Sequence, residues 1–155
     1  MLLGEVVIVM LTYKGMLGRM SRIPSRPPLD LSGNWIVVEL PSMTDDYLTL
    51  SSDPHVQITH DEYDRFSATF KFGAQQGEID GHVDEVWIHS AAIFFTFVGT
   101  DEGDEISGAA ADAGYNAKDD TITGMMRYHQ GDELPFVWRR AKTKAKRPST
   151  GVRKK

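Results

Sequence analysis

Between residues 66 and 138, apolar and polar side chains alternate in short runs that glycine interrupts. Phe66, Ala68, Phe70 and Phe72 alternate with Ser67, Thr69 and Lys71. Beyond the break, Gly77, Ile79, Gly81 and Val83 alternate with Glu78, Asp80 and His82. A period of two bounded by turn residues marks half-buried strands joined as an antiparallel meander. The same reading predicts strands over 33–40, 55–60, 65–72, 76–83, 85–90, 92–99, 104–113, 121–129 and 134–140, with turns near Gly73 and Gly131. Thr44 ahead of Asp45 and Asp46 offers an N-cap for one short helical turn within 42–50. Such a series, with almost no amphipathic helix, predicts an all-β fold: an antiparallel up-and-down barrel of about eight strands, with a two-sheet sandwich as the competing arrangement.

A chain of 155 residues can bury a core of its own as one domain. Its expected divisions are a disordered leader over 1–28, a barrel domain over 29–141 and a disordered basic tail over 142–155. The apolar run from Leu2 to Leu11 contains Glu5 and lacks both a basic start and a small-residue cleavage site, so it does not read as a signal peptide. It is also too short for a membrane span. Met20 is an alternative translation start, and the prolines of 22–28 predict an extended lead-in.

The net charge of −5 conceals an asymmetry. Residues 142–155 carry seven basic side chains and no acid, whereas 30–141 carry six basic against 21 acidic ones. An acidic body repels phosphate, which leaves nucleic acid to the tail. Without aromatic residues there to stack on bases, no specific nucleic-acid recognition is expected. The chain has no cysteine, which excludes disulfides, thiolate zinc sites and cysteine nucleophiles, and a cytoplasmic location is expected.

Three polar groupings carry candidate chemistry. Glu78, Asp80 and His82 share one face of a strand, where they could ligate a metal or exchange protons; the clean alternation favours a plain outer face. Asp101, Glu102, Asp104 and Glu105 surround Gly103 in an acidic turn without the full pattern of a calcium loop. His129, Asp132 and Glu133 meet at a hairpin turn in which Gly131 is the residue suited to positive φ. No zinc, nucleophile-elbow or phosphate-loop motif occurs, so no metal, cofactor or catalytic residue is assigned.

The first strand opens Gly33-Asn34-Trp35 and the last closes Phe136-Val137-Trp138-Arg139-Arg140. This resembles the calycin barrels (lipocalins, fatty-acid-binding proteins and avidins), although the cysteine pair and C-terminal helix of lipocalins are missing. The resemblance implies that Arg139 or Arg140 packs across Trp35 and plugs one barrel end. The runs Phe70-Lys71-Phe72-Gly73, Gly77-Glu78-Ile79-Asp80-Gly81, 97–105 and His129-Gln130-Gly131-Asp132 are also similar to a group of small uncharacterised bacterial proteins, a likeness that implies fold and domain limits but no activity.

Small inward residues (Gly77, Gly81, Gly108, Ala110, Gly124) would leave room inside a barrel for an apolar ligand, walled by Trp87, Phe95, Phe97, Met126, Tyr128, Phe136 and Trp138. Alternatively, large neighbours fill that space. The leading expectation is a non-enzymatic barrel that binds a small apolar molecule. The alternatives are an interaction module with a filled core and an enzyme using carboxylates at the barrel mouth, which would require His129 and Asp132 to converge with Glu78 or Asp80.

Overall fold

The computed structural model describes residues 29–61 and 63–142. Eight antiparallel strands follow one another around a closed barrel: β1 (Gly33–Glu39), β2 (His55–His60), β3 (Arg65–Phe72), β4 (Gln75–Val86), β5 (Ser90–Asp101), β6 (Asp104–Asn116), β7 (Thr121–Tyr128) and β8 (Glu133–Arg140). One short helix, α1 (Asp45–Leu48), lies between β1 and β2 and is capped by the Thr44 hydroxyl, which accepts from the Tyr47 N–H. The leader over 1–28 and the tail beyond Lys142 lie outside the described residues, as does the Met20 alternative.

The turns follow from backbone requirements. Gly73 takes φ +60° at the first position of the two-residue β3–β4 loop, as a type II′ hairpin turn demands. At the β5–β6 turn both Glu102 (φ 50°) and Gly103 (φ 99°) are left-handed, the pattern of type I′. In the β7–β8 turn the positive φ falls on Gln130 (53°), not on Gly131.

Three bulges explain where the alternation breaks. Val38 in β1, Asp84 in β4 and one residue within Ala111–Asp112 of β6 are extra relative to their partner strands. Each bulge puts two successive residues outside (Val38–Glu39, Asp84–Glu85, Ala111–Asp112) and so returns Leu40, Val86 and Ala113 to the interior. The segments predicted separately over 76–83 and 85–90 are therefore one strand, β4, followed by a turn at Trp87–His89. Its parity shift at Asp84 imitates a strand end.

The interior is apolar and filled. Gly77, Gly81, Gly108 and Gly124 stand directly across the sheet from Phe70, Phe66, Phe97 and Phe136. A Cβ at any of these four glycines would crowd the ring opposite it. The space that glycine leaves is thus taken by the neighbouring strand's aromatic side chain. Phe95, Phe136 and Trp138 stack with centroids 4.4–5.9 Å apart, and Phe70 meets Phe97 edge-on at 6.1 Å.

One barrel end is plugged. The Arg140 guanidinium lies 4.4 Å from the Trp35 ring centroid. It donates to both carboxylate oxygens of Asp120 and to the carbonyls of Ser32 and Asp30. The Trp35 indole N–H donates to the Leu31 carbonyl at 2.9 Å, and Tyr115 packs edge-on against the ring. Arg139, the other candidate, is exposed: it pairs across from Ile36 on the outer face, so strand parity assigns the plug to its neighbour. Replacing Arg140 by Met keeps apolar cover over Trp35 but removes the cation. We expect it to lower stability by about 2 kcal/mol, read as a lower urea midpoint at unchanged slope.

Candidate functional site

At the end opposite the plug, a cleft of about 670 Å³ opens between α1 and the β5–β6 and β7–β8 turns. Residues 42–44 and Tyr47 form one side, and Glu105, Ile106 and Ser107 with His129, Gly131 and Asp132 form the other. The helix is pinned over this end because Leu48 is buried, its carbonyl accepts from the Gly73 N–H at 2.8 Å, and Ser51 Oγ donates to the Gly73 carbonyl at 2.7 Å. A side chain at position 73 would collide with the Tyr47 ring, which lies against that glycine.

The floor of the cleft is a chain of hydrogen bonds. Tyr128 OH donates to Gln75 Oε1 at 2.6 Å, and Gln75 Nε2 donates to Asp101 Oδ2 at 3.1 Å. Tyr47 OH donates to the other carboxylate oxygen, Asp101 Oδ1, also at 3.1 Å. Gln75 is only 5 % exposed, and both ends of its amide are engaged, which satisfies an otherwise costly buried polar group. Burial pushes the Tyr128 hydroxyl well above the ordinary tyrosine range. Burial, then the hydrogen bond to Asp101, raises that of Tyr47.

Of the wall residues named from sequence, Phe95, Phe97, Met126, Phe136 and Trp138 are buried and pack on one another or on neighbouring rings. Tyr128 stands where this core meets the cleft, its ring 5.0 Å from Phe97 and its hydroxyl in the floor. Trp87 is not a wall residue. It sits in the β4–β5 turn and is 55 % exposed, because β4 ends at Val86 and the chain reverses there instead of continuing inward. Trp138 Nε1 is buried without an acceptor among the described residues. An unmet donor is unfavourable by about 1–3 kcal/mol, so this residue is there for its ring packing with Phe95 and Phe136.

The polar groupings separate. Glu78, Asp80 and His82 all lie on the exposed outer face of β4, where Arg65 pairs with Asp80 at 3.2 Å and His82 Nε2 lies 2.7 Å from Asp84. His129 and Asp132 line the cleft, on a different surface from Glu78 and Asp80, so the convergence required for a carboxylate enzyme at the mouth is not formed. Glu133 turns instead to Arg127, which also binds Asp112. In the acidic turn, Asp101 is committed to Gln75 and Tyr47. Among the described residues no three histidine or carboxylate side chains come together as a metal site.

No family model, curated protein or solved structure matches the chain. Among the described residues, no helix is long and apolar enough to cross a membrane.

The tyrosine shifts have a testable sign. With phenol pKa values raised on folding, the stabilisation from Tyr47, Tyr115 and Tyr128 is complete below the unfolded value near ~10 and is lost as pH rises through the folded values. Urea midpoints should be flat from neutral pH to about pH 10 and then fall. Tyr128→Phe should start lower by about 1 kcal/mol and show a shallower alkaline decline.

Proposed function

We propose that this protein is a non-enzymatic small-molecule-binding barrel whose ligand lies in the cleft under α1, with the barrel interior serving as its rigid support. The observation that carries the reading is the contrast between the two spaces. The interior is occupied by rings that cover Gly77, Gly81, Gly108 and Gly124, whereas about 670 Å³ stands open at the mouth with apolar and hydrogen-bonding groups side by side. That volume falls in the range of small-molecule sites, and a preformed polar floor set beside Met43, Ile106 and Leu134 suits an amphipathic ligand. The stacking of Arg140 on Trp35 supports kinship with the calycin barrels, which use a comparable plug. The cysteine-free composition supports a reducing, cytoplasmic setting.

A fragment screen followed by backbone and side-chain amide NMR tests this. Bound fragments should shift the Gln75 side-chain amide and residues 105–107 and 129–132 while leaving the Trp138 indole N–H unmoved. Ser107→Trp, which fills the cleft from its rim, should abolish the shifts without unfolding the barrel. Shifts centred on Phe95 and Trp138, or no bound fragment at all, would overturn the reading.

A second reading, a module that contacts another macromolecule, is favoured by the β4–β5 turn, where Trp87 and the 89 % exposed Ile88 stand side by side in solvent. Under it, the double change Trp87→Ser, Ile88→Ser would abolish co-purification of a partner while leaving the urea midpoint within about 0.5 kcal/mol of the parent.

A further inference from the structure

We infer that the cleft selects a cation: its ligand is an organic ammonium, a protonated amine carried on an apolar or aromatic body. This deepens the binding reading above and rests on it. The direction of every hydrogen bond in the floor is fixed from one end. Asp101 as a carboxylate can only accept, so Gln75 must present its NH₂ to it, which turns Gln75 Oε1 toward Tyr128 and obliges that hydroxyl to donate. Tyr47 likewise spends its proton on Asp101. Neither phenol has a proton left to offer a ligand; the Tyr128 oxygen keeps its lone pairs, and that of Tyr47 also accepts from the Ala74 backbone N–H.

Apart from the second N–H of Gln75, the floor therefore presents acceptors, and the rim adds two carboxylates, Glu105 and Asp132, beside the hydroxyls of Ser42, Thr44 and Ser107. Among the described residues lining the cleft there is no lysine or arginine, and His129 is the sole basic side chain. A carboxylate or phosphate ligand would meet acceptors and like charge. A neutral alcohol has one proton to give. An ammonium brings three donors and a compensating charge. Met43, Ile106 and Leu134 provide the apolar side on which the body of such a molecule would rest.

Three probes with one indole body and different head groups separate the possibilities: tryptamine, tryptophol and indole-3-propionate, each titrated into the full chain and followed by amide NMR. Tryptamine should bind about tenfold more tightly than tryptophol, and indole-3-propionate more weakly than either. Raising salt should weaken tryptamine and leave tryptophol nearly unchanged. The double variant Glu105→Gln, Asp132→Asn touches only rim carboxylates outside the floor's hydrogen-bond chain. It should fold normally and shrink the tryptamine advantage severalfold.

Equal binding of all three at the cleft would overturn the charge inference and leave the binding reading standing, as would preference for the propionate. If no probe moved the cleft resonances, while fragments of other chemistry did, the ammonium assignment alone would fall. If neither probes nor fragments moved them, both would fall.

Discussion

The guanidinium of Arg140 ties together the start of the barrel, the β6–β7 turn and the final strand. Its partners are the carbonyls of Asp30 and Ser32, the carboxylate of Asp120 and the face of Trp35. Closing a sheet on itself requires the first and last strands to meet in register. Here β1 and β8 pair from Trp35–Arg140 onward. A guanidinium suits this place because its planar fork can bond a carboxylate and two carbonyls while its face covers an indole, which an ammonium cannot do. With that end sealed, the cleft under α1 lies at the opposite end, beside the core.

The second constraint is the fit between glycine and aromatic residues across neighbouring strands. A small barrel crowds its inward side chains, and this one relieves the crowding at four positions by placing glycine where the next strand sends a phenylalanine ring. Small residues on an inward face thus have a meaning that depends wholly on what stands opposite. Facing other small residues they would enclose a pocket; facing phenylalanine they make a solid core. The consequence is a division of labour in which the interior supplies rigidity and the α1 end supplies chemistry.

The strand alternation and the barrel class were legible in the sequence because each rests on a local pattern, period two broken by turn residues, whereas the Trp–Arg plug was expected only from the resemblance of Gly33-Asn34-Trp35 and the closing arginines to the calycin barrels. Three things were hidden. The continuity of β4 past Asp84 was masked because a bulge and a strand end interrupt alternation in the same way, and that error carried Trp87 into the predicted wall. The side of β8 on which each arginine falls depends on register, which sequence leaves open between Arg139 and Arg140. The floor of the cleft was invisible for a stronger reason: Tyr47, Gln75, Asp101 and Tyr128 meet from positions 26 to 54 apart, with no spacing rule linking them. Of the four, Tyr128 was singled out for its ring and Asp101 as part of an acidic turn, neither for the floor they share.

The plug also bears on how the molecule reaches its native state. Arg140 bonds groups 108 and 110 positions earlier in the chain, so the contact that seals the cylinder is among the most non-local it makes. Adjacent hairpins from β2 to β7 can zip locally, but β1 has only β2 to rest on until the final stave is in place. The entropy of bringing such distant segments together must be met before Trp35 is shielded, which places this chain among slow-folding, high-contact-order topologies. Quenching or shift of Trp35 emission would then trail hairpin formation, and the half-made sheet would meanwhile carry an open edge prone to pairing with another chain.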